Sequence, residues 1–269
     1  MSKHKKERHA IFCVSLFLLI FITLIRSIQN YLKRHKFERF APKAVLFDMD
    51  GVLYDSMPNH AKAWVKCMAS YGLEMSEKEA FLYEGMRGIE TIRKIAGKQW
   101  QREIPEEEAA KIYKAKSAIY SRLPKAELIK GVHCLQKSIA QKGWIIGVVT
   151  GSGQETLLQR IIKDFEGLVS PEVLVCAKDV QRGKPAPDPY IKGMQKANVE
   201  PWQTIVIENA PLGVKAAVAA QCFTIAVNTG PLPDSVLKEN GADLILHSMD
   251  TLSELLEKTF QGDGEILYD

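Results

Sequence analysis

Short apolar runs alternate with longer amphipathic stretches along most of the chain. Lys43–Phe47 is short and apolar and leads into a Gly-containing turn, the pattern of a strand buried on both faces of a parallel sheet. From 58 to 124 no run has strand character. The spacing there predicts helices over Pro58–Tyr71, Glu77–Tyr83, Gly88–Ala96 and Glu106–Arg122. Alternation then resumes, with strands predicted at Trp144–Thr150, Glu172–Cys176, Thr204–Glu208, Phe223–Asn228 and Ala242–His247 and helical patterns between most of them. The order predicts an α/β fold: a doubly wound, Rossmann-like parallel sheet, with an all-helical unit inserted after the first strand. The core is expected over 43–57 and 125–260 and the inserted helical cap over 58–124.

The front of the chain follows another pattern. Ala10–Ile25 holds sixteen residues without a charge. As a helix it would span roughly 24 Å, against a hydrocarbon core of about 30 Å. It is expected to be a short membrane anchor within a basic N-terminal segment, 1–42, with 26–42 as a linker closed by Pro42. A start assigned too early is the other reading. Arg26 follows, not a small-residue cleavage site, which argues against a cleaved signal peptide. Positive charge on both flanks leaves the orientation open.

Charge and cysteine content narrow the classes. The chain has 269 residues and a net charge of +4, but residues 1–40 hold nine Lys and Arg against Glu7 and Glu38. The remainder is near neutral, so no nucleic-acid footprint is indicated. The five cysteines are widely spaced and form no C-x-x-C pair. They fit reduced residues of a cytoplasmic catalytic domain, expected to be monomeric, better than a zinc site or a disulfide framework.

The chemistry gathers at strand ends. The first strand runs straight into Asp48 and Asp50, although a buried carboxylate needs a cation, a metal or hydrogen-bond donors. Ligands of open α/β sheets bind at the carboxyl ends of strands, so both would face that crevice. An ordinary Asp-Gly turn, with Asp50 capping the loop, is the alternative. Further along, one strand ends at Thr150-Gly151-Ser152 and another at Glu208-Asn209, and Lys184 lies in the proline-stiffened "GKPAPDPY". Each alone is ordinary: a helix cap, a turn, a solvated lysine. Their order along one sheet edge is not.

Those stretches, "DMDGVLYDS", "VVTGS", "GKPAPDPY" and "IENAPLGV", resemble the four motifs of the haloacid dehalogenase-type phosphohydrolases, in the β-phosphoglucomutase-like branch with a helical cap. The resemblance covers about residues 43–250. It implies that Asp48 attacks phosphorus to give an aspartyl-phosphate and that Asp50 protonates the leaving group and then activates water. Thr150 and the amides of Gly151 and Ser152 would hold the phosphoryl oxygens, and Lys184 would balance charge. Mg²⁺ would sit among Asp48, the Asp50 carbonyl and Asn209, with Glu208 nearby. No G-x-x-x-x-G-K-[ST] loop is present. Dehalogenation itself is disfavoured by the second aspartate and the metal set.

The cap sequence bears on the substrate. "SMPNHAKAW", with His60, is similar to the corresponding stretch of β-phosphoglucomutases. In "YEGMRGIE", however, Glu84 falls where the mutases carry a lysine and Gly88 where they carry an arginine, with Arg87 displaced by one. Asn209 stands where many relatives have aspartate. These two departures resemble a bacterial inorganic pyrophosphatase of the same superfamily, which is the first expectation, with His60, Glu84 and Arg87 touching substrate. A β-phosphoglucomutase or a sugar-phosphate phosphatase is the alternative. A membrane-tethered binding protein without catalysis is a third class, opposed by the intact Asp48, Asp50, Thr150, Lys184 and Glu208.

Overall fold

The computed structural model describes residues 3–260 and 265–268, with side chains from residue 18 onward. It opens with a long helix, α1 (Lys3–His35), and a two-residue strand, β1 (Arg39–Phe40). The first core strand, β2 (Ala44–Phe47), is followed by four helices, α2 (Met57–Ser70), α3 (Glu77–Leu82), α4 (Gly88–Trp100) and α5 (Glu106–Tyr120). The chain continues through α6 (Val132–Gln141), β3 (Ile145–Val149), α7 (Glu155–Asp164), β4 (Leu174–Val175), α8 (Asp188–Ala197) and β5 (Thr204–Glu208). It ends with α9 (Pro211–Ala219), β6 (Phe223–Val227), α10 (Asp234–Glu239), β7 (Leu244–Leu246), α11 (Met249–Thr259) and β8 (Ile266–Leu267).

Six strands form one parallel sheet in the order β4-β3-β2-β5-β6-β7, the doubly wound arrangement expected from the alternation. β2 lies at the centre, with Phe47 opposite Val148 on one side and Ile207 on the other. Each residue of β2, β5 and β6 is buried, as continuous apolar runs covered on both faces require. One face packs Val45, Phe47, Ile205 and Ile207 under Leu135, Ile139, Leu252 and Leu256 of α6 and α11. The other packs Leu46 and Val206 against Tyr190, Met194, Ala216 and Ala217 of α8 and α9. The topology places the site: the chain leaves β2 toward β3 on one side and later reaches β5 on the other, and a crevice opens at that switch.

The four inserted helices have a core of their own, in which Trp64, Met68, Phe81, Ile92 and Ile112 pack together. Two strand-like connections join them to the sheet. Asp55 donates its amide to the Glu127 carbonyl at 2.8 Å and Ile129 to that of Leu53 at 2.9 Å.

The front segment departs from expectation. Residues 26–35 are not a linker but the last turns of α1, and Leu24, Ile28, Tyr31 and Leu32 are fully buried against the sheet. Tyr31 presents its hydroxyl to the carbonyls of Pro201 (3.0 Å) and Gln221 (2.9 Å), and Arg34 pairs with Asp243 at 2.7 Å. The strands β1 and β8 then pair antiparallel, with Arg39 opposite Leu267 and Phe40 opposite Ile266. Among the described residues no helix is long and apolar enough to cross a membrane, and the side chains of 10–17 in the expected anchor lie outside those described. Of the cysteines, Cys67, Cys176 and Cys222 are buried thiols and Cys134 is exposed, while Cys13 lies outside the described side chains.

Candidate active site

Three neighbouring strands deliver the reactive groups to one edge. Asp48 follows β2 directly, Thr150 follows β3, and Glu208 ends β5 with Asn209 after it. Lys184, in the loop before α8, is fully buried, donating to Asp48 Oδ1 at 2.5 Å, to Glu208 Oε1 at 2.7 Å and to the Val149 carbonyl at 3.3 Å. Glu208 is anchored by three further donors: the Tyr190 hydroxyl at 2.5 Å and the amides of Asn209 (3.0 Å) and Ala210 (3.2 Å), beside the N-terminus of α9. One ammonium thus serves two carboxylates. Burial pushes the Asp48 carboxyl up to about 7, with Glu208 and Asp50 adding like charge against the pull of Lys184. Lys184 itself is held charged: burial opposes this, but the two carboxylates outweigh it.

Asp50 lives in a different field. It accepts from the Ser56 hydroxyl at 2.5 Å and lies 3.2 Å from His60 Nε2. His60 Nδ1 is in turn 2.6 Å from Lys116 Nζ. Burial and the neighbouring ammonium hold the His60 ring below its usual range. The arrangement is a neutral imidazole that donates from Nε2 to Asp50 and accepts at Nδ1 from Lys116. Burial raises Asp50, but His60, Ser56 and Lys116 together outweigh it and hold the carboxyl below its usual range. Two carboxylates two residues apart therefore sit in opposite fields, Asp48 raised and Asp50 lowered.

Glu84 comes from the turn between α3 and α4 and enters the same space. Its carboxylate accepts from Asn209 Nδ2 at 3.3 Å, and burial, then Asp48, Asp50 and Glu208, raise it well above the usual range. Asn209 Oδ1 is buried with no hydrogen-bond partner. Among the described residues no group of three or more His, Cys, Asp and Glu side chains has the geometry of a metal site. The orphaned amide oxygen, beside carboxylates that outnumber the single Lys184 ammonium, is nonetheless an all-oxygen set of the kind a hard divalent cation takes.

A cavity of about 70 Å³ lies between this edge and the inserted helices. At about 30 Å³ per water, it holds about two waters. Asp48, Asp50, His60, Glu84, Gly151 and Ser152 all border it, whereas Thr150 is buried beneath and accepts at Oγ1 from the Ser152 amide at 3.0 Å. Gly51 holds the turn open: at φ +81° it favours glycine, and a Cβ there would lie 2.0 Å from Asn209 Nδ2.

Arg87, expected at the substrate, is not among the residues bordering the cavity. Its guanidinium leaves the cavity and donates to the Gln181 carbonyl at 2.8 Å, because Gly183 leaves room for its methylenes to lie flat on the core loop. Lys116 was missed by the sequence reading. It lies on the buried face of α5 with Ala109 and Ile112, and that spacing was the available signal. Ser56 and Tyr190 were also missed, since neither stands at a strand end and each acts through another residue, Asp50 and Glu208.

Comparison with known proteins agrees with this geometry. Residues 45–227 match the haloacid dehalogenase-like hydrolase family. Hexitol phosphatase A of Escherichia coli (strain K12) is 33% identical over 84% of this chain and 98% of its own length. Validoxylamine A 7'-phosphate phosphatase of Streptomyces hygroscopicus subsp. limoneus is 31% identical over 70% of this chain and 86% of its own. Among solved structures, a candidate β-phosphoglucomutase from Bacteroides vulgatus superposes with a TM-score of 0.83 at 45% identity, over 87% of this chain and 95% of that one. The chain belongs to the haloacid dehalogenase-like hydrolases.

Proposed function

We propose that the protein hydrolyses a small phosphorylated metabolite through an aspartyl-phosphate on Asp48, with sugar or polyol phosphates as the substrate class. The observation that carries the reading is the pairing of Asp48, under Lys184, with an Asp50 of opposite environment on one edge of one cavity. Asp48 attacks phosphorus and the bond to the leaving oxygen breaks, Asp50 supplying the proton. Asp50 then takes a proton from water, which attacks phosphorus, releases phosphate and restores Asp48. The resting site holds Asp50 ionised, ready for the water step. A bound phosphate dianion raises its affinity for the proton that the first step uses. Asp48, the Asp50 carbonyl, Asn209 and, beside them, Glu208 would hold Mg²⁺, which supplies charge neutralisation at the phosphoryl oxygens when bound. The inserted helices, 58–124, act as a cap that excludes water.

Two points support hydrolysis over phosphomutase chemistry. A mutase must grip a second phosphate, yet Arg87 is engaged by Gln181 and Lys116 by His60. The phosphatase relatives support the sugar-phosphate class. A second reading, inorganic pyrophosphate, rests on Glu84: a carboxylate entering from the cap shortens the pocket toward a small leaving group. A phosphate-release panel with Mg²⁺ decides, covering hexitol and hexose phosphates, β-glucose 1-phosphate and pyrophosphate. Release from sugar or polyol phosphates above all others supports the proposal. A preference for pyrophosphate, or isomerisation of β-glucose 1-phosphate, contradicts it.

The apolar stretch 10–25 is further proposed to associate the enzyme with a membrane surface from the cytoplasmic side. Leu18 and Leu19 are exposed on α1, which supports that reading. Fractionation of the full chain wholly into the soluble phase would oppose it.

A further inference from the structure

The cap does more than roof the cavity: it holds the loop that carries Lys184. At the start of α4, Arg87 donates to the Gln181 carbonyl at 2.8 Å, and Glu90 is oriented toward the amide of Gly183. The two side chains lie 3.7 Å apart, so they grip the loop as a pair. Gly183 is required there, because a Cβ would stand 2.5 Å from Arg87 Cγ. One residue later comes Lys184, whose Cδ would stand 3.1 Å from a Cβ on Gly85 of the same cap turn. The cap turn thus touches both the loop backbone and the stem of the buried lysine.

We propose that Arg87 and Glu90 form a latch through which cap closure seats Lys184 between Asp48 and Glu208, so that the charge-balancing lysine is in register only when the cap is shut. Both are positioning residues. Opening the cap removes the Arg87 hydrogen bond from Gln181, the Glu90 carboxylate from beside Gly183 and the packing over Lys184 together. The Asp48 nucleophile then loses its ordered cation whenever the site is open to water. The inference rests on the phosphatase reading for its kinetic arm alone.

The test combines amide hydrogen exchange of segment 179–186 with steady-state hydrolysis of para-nitrophenyl phosphate in Mg²⁺, on the full chain. Its variants are Arg87→Ala, Arg87→Lys and Glu90→Ala. Arg87→Ala and Glu90→Ala should exchange faster in that segment by about fivefold, the weight of one hydrogen bond, and lose about five- to tenfold in kcat/KM. Both side chains are partly exposed, and the melting temperature checks that the fold is kept. Arg87→Lys retains a donor and should recover most of both readouts. Unchanged exchange in the alanine variants would overturn the latch, as would a rise in KM alone, which would mark Arg87 as a substrate ligand. If the wild-type chain releases no phosphate from any ester, the phosphatase reading fails, while the exchange arm still decides the latch.

Discussion

The division of labour between Asp48 and Asp50 comes from their neighbours and not from their own chemistry. Asp48→Asn should keep the fold and abolish turnover, since an amide cannot form the acyl phosphate; phosphate release checks this and melting temperature controls it. Lys116 gives the site a pH dependence. Burial lowers its pKa from 10.5 to about 8, so folding disfavours its charged form. That cost is complete below pH 8 and fades as pH rises toward 10.5, so its contribution to stability improves with pH over that window. Activity runs the other way: above about 8 the ammonium behind His60 is lost, and Asp50 with it loses support. We expect a falling limb near pH 8 in kcat/KM that is absent from Lys116→Met. An unchanged limb in that variant would assign it elsewhere. Asp48, Asp50 and Lys184 were legible in the sequence because each marks a strand end or a stiffened loop. Lys116 was not, because its partner His60 is 56 positions away.

Helices and strands were read well where period and length agree. The sheet strands fall within their predicted spans, and α2 to α5 lie where the helical spacing put them. The fourth strand is shorter than the predicted Glu172–Cys176, since Pro171 starts a 3-10 turn that runs to Val173. The join between β5 and α9 carries a constraint no period reveals. A Cβ on Gly213 would lie 1.8 Å from Glu208 Oε1. Gly213→Ala should therefore displace that carboxylate from Lys184. Overpacking of this kind costs about 1–3 kcal/mol, read by denaturant unfolding, and activity should fall with it. A variant of unchanged stability and rate would mean that Glu208 has another seat.

For the molecule as a whole, residues 24–40 are part of the fold. Leu24, Ile28, Tyr31 and Leu32 sit at the i, i+4, i+7, i+8 spacing of one helix face. That stripe was present in the sequence, but the uncharged run just before it drew the reading toward an anchor and a linker. Burying four such side chains contributes roughly 6–12 kcal/mol, comparable to the about 5–15 kcal/mol stability of a typical domain. A chain starting at Lys43 should be unfolded or insoluble, and Ile28→Ala should cost about 2–5 kcal/mol in denaturant titration. A stable, cooperative fold without residues 1–42 would show that α1 is dispensable.

The phosphoryl-enzyme is the most direct test. The chain is mixed with a ³²P-labelled polyol phosphate and Mg²⁺, quenched in acid during turnover, digested and sequenced by mass spectrometry. Label should appear on the peptide carrying Asp48, be released by hydroxylamine and be absent from Asp48→Asn. Turnover without labelled protein, or label on any other residue, would contradict catalysis through Asp48.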